Sequence, residues 1–278
     1  MVRKGSIFVI SSHVVSGQVG IKAMLPAFRA MKSEAITLQT TMLAAHPAAF
    51  PDMGPPVGTI VPAEQLLEIT DWLFRAGALD NVTAVMSGYL PSADHVNAVA
   101  KIVTRLRHHN RDLVYCCDPI CGDNGKLYLP QDVAEGLRTA LLPIASLTTP
   151  NRFELEYLSN QSDLSDTHDL VRAARSLGVP HIAVTSAPAP EGRIASVCVG
   201  QEVMRCESAK APRAPHGMGD LFSALYLGLY LEENPKALGI ATGTLAQIAS
   251  ANMQTQTLPH GPLTLSAPLI QETLVVAD

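Results

Sequence analysis

The stretch that decides the fold runs from residue 83 to residue 118. It opens on Thr83-Ala84-Val85-Met86-Ser87, short and β-branched, as a buried strand reads. Between Ser92 and Asn110 the apolar residues Val96, Val99, Ala100, Val103 and Leu106 recur at helical spacing, with Ser92 as the expected N-cap. Leu113-Val114-Tyr115-Cys116-Cys117 follows as a second strand and runs directly into Asp118-Pro119. Two strands joined by a helix of this length make a βαβ unit, which requires a parallel pair. Outward from it the pattern repeats. Strands are expected at Ser6–Ile10, Ala35–Leu38, Ser146–Thr148, His181–Thr185, Ile194–Val199 and Glu202–Glu207. Helices are expected at Pro62–Ala78, Gln131–Leu142, His168–Leu177 and Asp220–Glu232, with a core helix pair over Pro235–Thr255 and a last helix after Leu263. Such a chain folds as an α/β protein with a mostly parallel central sheet. Sheets of this kind bind ligands beyond the carboxyl ends of their strands, so polar residues there carry most information.

Composition narrows the class. The chain has 278 residues, 47% hydrophobic and 16% charged, with a formal net charge of -5. That excludes disorder, collagen and simple coiled coil. No stretch is densely basic, which argues against nucleic acid and anionic membrane as partners. Arg3 and Lys4 precede Ile7-Phe8-Val9-Ile10, but Ser11, Ser12 and His13 interrupt before a secretory h-region of about 7–15 apolar residues is reached. Five cysteines give no disulfide framework; Cys116 and Cys117 should point to opposite faces of their strand, and Cys121 completes no CxxC pair. Reduced thiols in a cytoplasmic protein are the expectation. Two loops stand out. Ala44–Val61 carries four prolines and two glycines and reads as a lid or binding loop, and Asp118–Pro130 is rich in turn residues. Residues 1–278 read as one domain with mobile loops.

The chain has no GxxxxGK[ST] loop, and no GxGxxG follows its first strand, which disfavours P-loop NTPases and ordinary nicotinamide dehydrogenases. Pro215-His216-Gly217-Met218-Gly219-Asp220 instead precedes the apolar periodic stretch beginning Leu221-Phe222-Ser223. Two readings fit this motif: an anion cradle at a helix N-terminus, or a tight turn that Asp220 merely caps. The strand ends add Asp118, then Asn151 with Glu154 three positions on, then Thr185 and Ser186, and Ser12 with His13 after the first strand. A capping box would use up Asn151 and Glu154 structurally. His13 and His46 are most simply polar loop residues. Taken together, two carboxylates, hydroxyl donors and a Gly-x-Gly-Asp cradle are what phosphoryl transfer requires, with Mg²⁺ held by one or two carboxylates, water and substrate phosphates.

Several blocks then resemble pyridoxal kinases of the ribokinase superfamily. They are Ser11-Ser12-His13-Val14-Val15-Ser16-Gly17, Ser87-Gly88-Tyr89-Leu90, Asp118-Pro119-Ile120-Cys121-Gly122-Asp123, Thr149-Pro150-Asn151-Arg152-Phe153-Glu154-Leu155-Glu156, Val184-Thr185-Ser186 and Gly217-Met218-Gly219-Asp220. The matches are collinear over roughly residues 6–230. The resemblance implies a Rossmann-like three-layer sandwich, normally a homodimer, that phosphorylates the 5′-hydroxymethyl of pyridoxal with Mg·ATP to give pyridoxal 5′-phosphate in vitamin B6 salvage. By the same resemblance Asp220 is the general base, and Gly217, Met218 and Gly219 form the anion hole. Asp118 and Glu154 organise Mg²⁺ and a monovalent cation such as K⁺, directly or through water. Thr149, Asn151, Thr185 and Ser186 line the ATP phosphates, and Tyr128 lies on the loop covering the nucleotide. Ser12 hydrogen-bonds the pyridine ring beside Val19, His46 and Tyr89. Two departures matter. Met218 stands where the family usually has Thr or Val, and Ala45-His46-Pro47-Ala48-Ala49 stands where it commonly has Asn-His-Thr. Pro47 offers neither hydroxyl nor backbone N–H, so one wall of the vitamer pocket differs. A kinase of hydroxymethylpyrimidine or a related hydroxymethyl heterocycle is the alternative enzyme, and a non-catalytic vitamer-binding protein the alternative class.

Overall fold

The computed structural model describes residues 5–252 and 258–276. Arg3 and Lys4, and residues 253–255 of the expected helix pair, lie outside them. The chain opens with β1 (Ser6–Ser16), α1 (Ile21–Ala30) and β2 (Ala35–Ala45), and β3 (Gly58–Ile60) then returns antiparallel along β2. The βαβ core follows as α2 (Ala63–Arg75), β4 (Val82–Ser87), α3 (Ala93–His109) and β5 (Val114–Cys117). A small hairpin, β6 (Gly122–Asp123) and β7 (Lys126–Leu127), leads to α4 (Gln131–Gly136), β8 (Leu147–Thr148), α5 (Arg152–Ser159) and α6 (Thr167–Ser176). The chain ends with β9 (Ile182–Ala187), β10 (Arg193–Val199), β11 (Val203–Ala209), α7 (Met218–Leu231), α8 (Ala237–Ala251) and β12 (Gln271–Leu274).

Ten strands form one sheet in the order β12-β11-β10-β9-β8-β5-β4-β1-β2-β3. From β9 to β2 every pairing is parallel, and the pairings outside that block are antiparallel. Alternation sends successive side chains to opposite faces. Phe8, Ile10, Val85, Tyr115 and Cys117 therefore join one core with residues of α2 to α6. Ile7, Val9, Met86, Val114 and Cys116 join the other with residues of α1, α7 and α8. Two apolar cores separated by one sheet are the expected three-layer sandwich, and the two adjacent cysteines divide between them. All five cysteines are buried and free.

Several expectations are corrected. The segment after Leu263 is extended and ends in β12, which pairs with β11, because Pro268 interrupts any helix and the remaining stretch is short. One helix, Ala237–Ala251, stands where a pair was expected. Residues 131–144 change from α4 to a π turn over Leu137–Leu141 and a 3₁₀ turn at Leu142–Ile144, where Pro143 removes a donor. Ser92 holds the N-cap position without a capping hydrogen bond; its hydroxyl pairs with the Nδ1 of His95 at 2.7 Å. β1 and β2 run well beyond their expected ends, so His13 is a strand residue rather than a loop residue. Helix α1 escapes sequence reading because Pro26 sits inside it. The Asp118–Pro130 loop closes as a hairpin through Asn124 and Gly125, both at positive φ, the conformation that an Asn-Gly turn supplies at least cost.

β1 is the branch point of the sheet. Its connection to β2 passes through α1 on one face, and the connection from β3 to β4 passes through α2 on the other. Diverging connections open a crevice at the carboxyl ends of β1 and β4.

Candidate active site

Into that crevice points the N-terminus of α7. Gly217 caps it at φ 86°, and a Cβ there would stand 2.2 Å from the carbonyl oxygen of Gln18, so only glycine fits. Met218 begins the helix with its side chain packed against the core beneath, which leaves its backbone amide for a ligand. Gly219 is exposed and a Cβ there would meet nothing, so the space above its backbone is open. The first amides of a helix have no partner within it, and here they face a clear approach.

Asp220 lies in the same first turn. Its Oδ2 accepts a hydrogen bond from the backbone N–H of Gly20 at 2.9 Å, while Oδ1 is buried without a partner. Burial raises its carboxyl to about pKa 6, against the opposing pull of the Gly20 N–H. Gly20 is itself confined: φ is 58°, and a Cβ would strike the Ser12 carbonyl at 2.3 Å and the Ser12 hydroxyl at 2.5 Å. The base candidate and the ring-binding candidate Ser12 thus meet through one glycine. Val19 is buried beside it. Tyr89 follows β4, its N–H donating to the Ser11 hydroxyl at 3.1 Å and its carbonyl accepting from the Thr40 hydroxyl at 2.9 Å.

Asp118 leaves β5 fully buried, with Oδ2 unpartnered. Burial, then the neighbouring carboxylates Glu154 and Asp220, hold its carboxyl well above the ordinary range, while the Ser223 hydroxyl opposes the shift. Ser223 also bonds the Thr149 hydroxyl at 2.8 Å. Asn151 and Glu154 form the capping box of α5: the Asn151 side chain accepts from Glu154 N–H at 2.9 Å, and Glu154 Oε2 accepts from Asn151 N–H at 2.9 Å. Both side chains also hold the hairpin loop, since Glu154 Oε1 accepts from Cys121 N–H at 3.0 Å and the Asn151 amide donates to Gly122 at 2.9 Å. Glu154 therefore keeps only its remaining lone pairs for a cation. Burial raises it to about pKa 8. Tyr128 on that loop has its phenol raised, by burial first and then by the charges of Glu154, Asp118, Cys121 and Asp220. Thr185 is tied to the β8 end by its N–H to the Pro150 carbonyl at 3.0 Å; Ser186 beside it is exposed at φ 56°.

His46 accepts a hydrogen bond from Ala48 N–H at 3.2 Å and stacks on His216, ring centroids 4.5 Å apart. The arrangement thus brings Asp118, Glu154, Tyr128 and Asp220 into electrostatic contact and joins Ser12 and Val19 to Asp220 through the Gly20 turn. Sequence reading missed Gly20, Ser223 and His216. Ser223 had a signal, lying three positions after Asp220 on the same helix face; the other two contacts join distant segments.

A buried unpartnered oxygen on Asp118, close enough to Glu154 for their charges to repel, suits a hard cation. No cluster of three or more His, Cys, Asp or Glu ligands occurs among the described residues, and Mg²⁺ needs none when substrate phosphates complete its shell.

The family model for phosphomethylpyrimidine kinase matches residues 15–258. A pyridoxine/pyridoxal/pyridoxamine kinase of Bordetella bronchiseptica is 32% identical over 94% of this chain and 93% of its own. The pyridoxal kinase PdxY of Corynebacterium diphtheriae is 29% identical over 85% and 84%. The structure of pyridoxal kinase from Leishmania donovani in complex with ADP and pyridoxamine superposes with a TM-score of 0.87 at 24% identity, over 98% of this chain and all of that one.

Proposed function

The chain belongs to the phosphomethylpyrimidine kinase family, among the pyridoxal kinases of the ribokinase superfamily, and from that premise we propose how its own residues carry the reaction. The protein is an ATP-dependent kinase that phosphorylates pyridoxal at its 5′-hydroxymethyl group in B6 salvage. The observation that carries the residue assignment is Asp220, one oxygen held by Gly20 and the other buried and unpartnered beside the glycine cradle.

Ser12, Val19, His46 and Tyr89 hold the pyridine ring so that its hydroxymethyl faces Oδ1 of Asp220. That oxygen takes the hydroxyl proton as the alcohol oxygen bonds to the γ-phosphorus, and the bond to the β-phosphate oxygen breaks to release ADP. The amides of Gly217, Met218 and Gly219 receive the equatorial oxygens, where charge must be stabilised for a loose transition state. Thr149, Asn151, Thr185 and Ser186 line the phosphates, and Tyr128 covers the nucleotide. Asp118, with Glu154 directly or through water, holds Mg²⁺ and a monovalent cation such as K⁺. Bound there, the divalent ion neutralises phosphate charge. Replacement of Asp220 by Asn tests this account: turnover should fall about 10²–10⁴-fold, the usual worth of a general base, while pyridoxal binding persists. Unchanged turnover removes Asp220 from the chemistry.

A hydroxymethylpyrimidine substrate is the second reading, favoured by the matching family model. Parallel assay of both heterocycles separates the two. We read residues 1–278 as one domain and the assembly as a homodimer. Supporting the dimer, β3 is an exposed edge strand, and Phe50, Met53, Val57 and Ile60 around it form an apolar margin that a second copy would cover. Five free buried thiols support a reducing cytoplasmic location, and no helix among the described residues is long and apolar enough to cross a membrane.

A further inference from the structure

His46 stands just beyond the carboxyl end of β2, and His216 one residue before the glycine that opens α7. Their rings stack with centroids 4.5 Å apart and planes inclined by 26°. Both are partly buried. Pro47 fills the first position of a 3₁₀ turn capped by His46, whose Nδ1 accepts the Ala48 N–H. That bond fixes the tautomer, because a ring nitrogen that accepts carries no proton. In the neutral ring the remaining nitrogen, Nε2, bears the hydrogen and is the one donor the ring has to offer. The backbone turn sets one edge of the His46 ring; His216 supplies the face against which the plane rests.

We propose that His216 is a positioning residue for the heterocyclic substrate: by stacking on His46 it fixes the donor edge of that ring and ties the substrate loop to the anion-hole turn. The proposal rests on the reading of His46 as a pocket residue of a B6 kinase. The changed wall at Pro47 then has a partner. Where a threonine hydroxyl and amide are absent, a capped and stacked imidazole takes over the polar contact. Burial lowers the pKa of both rings, and the neighbouring His216 lowers that of His46 further, so both rings are neutral at physiological pH. A neutral donor suits a neutral hydroxyl or aldehyde oxygen better than a protonated amine. His216 adjoins Gly217, whose conformation is held by contact with Gln18, so the stack rests on a rigid support.

The test uses the full chain with pyridoxal and Mg·ATP and compares H216A, H216F, H46A and the H46A/H216A double variant. The expected result for H216A is a rise of about three- to tenfold in both KM and Kd for pyridoxal, the span of one aromatic pair contact, with KM for ATP unchanged within about twofold. H216F keeps a flat ring without its nitrogens and should recover most of that loss. The double variant should be no worse than H46A alone, since His216 acts through His46. An unchanged ATP KM also reports that H216A is folded. Three results overturn the proposal: H216F as impaired as H216A, losses that add fully in the double variant, or a rise confined to the ATP KM. A native protein that turns over hydroxymethylpyrimidine but binds no pyridoxal overturns the vitamer reading, and this inference with it.

Discussion

Asp220 combines two opposed influences. A carboxylate in the first turn of a helix is electrostatically favoured, yet burial raises this one to about pKa 6, with the Gly20 N–H opposing. A general base must be ionised, so turnover should rise with pH through about 6 and level above it. An acid limb absent from the kcat/KM profile, with full activity well below that point, would contradict the assignment. The two cradle glycines separate stability from catalysis. Gly217→Ala meets both a left-handed φ and the Gln18 carbonyl, and should destabilise the fold by about 1–3 kcal/mol in chemical denaturation. Gly219→Ala meets open space, so it should fold as the native protein does and lose turnover by more than about tenfold, because the new methyl occupies the anion's place. At this scale the sequence was legible where chemistry sits at a strand end. Asp118 and Thr149 each follow a strand directly, Asn151 lies three residues past the end of β8, and the strand-end rule finds all three. Gly20 was not legible, because its partner lies 200 positions away and glycine carries no side chain to announce a role.

Among the elements, α5 and the hairpin β6–β7 act as one unit. Asn151 and Glu154 were legible as a capping box, and they form it fully while Glu154 stands near Asp118. The consequence is thermodynamic. Glu154 has its folded pKa raised from 4.5 to about 8, so the fold prefers its neutral form. A raised folded pKa contributes stability that is fully present below the unfolded value and lost as pH rises through the folded one. Without divalent cation, Tm should therefore fall between about pH 4.5 and pH 8, and Asp118, also raised by burial, adds in the same direction. A cation that binds the ionised carboxylates stabilises the folded state by mass action. Added Mg²⁺ should thus raise Tm more at pH 8 than at pH 5, and a Mg²⁺ effect independent of pH would separate Asp118 and Glu154 from the metal. The tail strand β12 was not legible: Gln271–Leu274 has only four residues, and its extended form comes from pairing with β11.

For the whole molecule, the parallel block from β9 to β2 was readable because helix and strand periods alternate along the sequence, and each period is a local property. The antiparallel edges were not, since edge pairing depends on which strand lies alongside. The exposed edge at β3 leads to a quaternary prediction: the native protein should sediment as a dimer, and Ile60→Lys with Val57→Lys should yield monomer, the charges being intolerable in a buried apolar seam. A native monomer at micromolar concentration would remove the dimer from the account. The crevice at the β1 branch point is the feature on which the functional reading converges, because it gathers the proposed base, the proposed anion cradle and buried carboxylates from distant parts of the chain. Its most direct test is the ATP-dependent formation of pyridoxal 5′-phosphate, followed by absorbance with and without Mg²⁺, with hydroxymethylpyrimidine assayed in parallel. The account predicts Mg²⁺-dependent turnover of pyridoxal in preference to the pyrimidine. Efficient phosphorylation of the pyrimidine with none of pyridoxal, or saturable pyridoxal binding without any turnover, would contradict it.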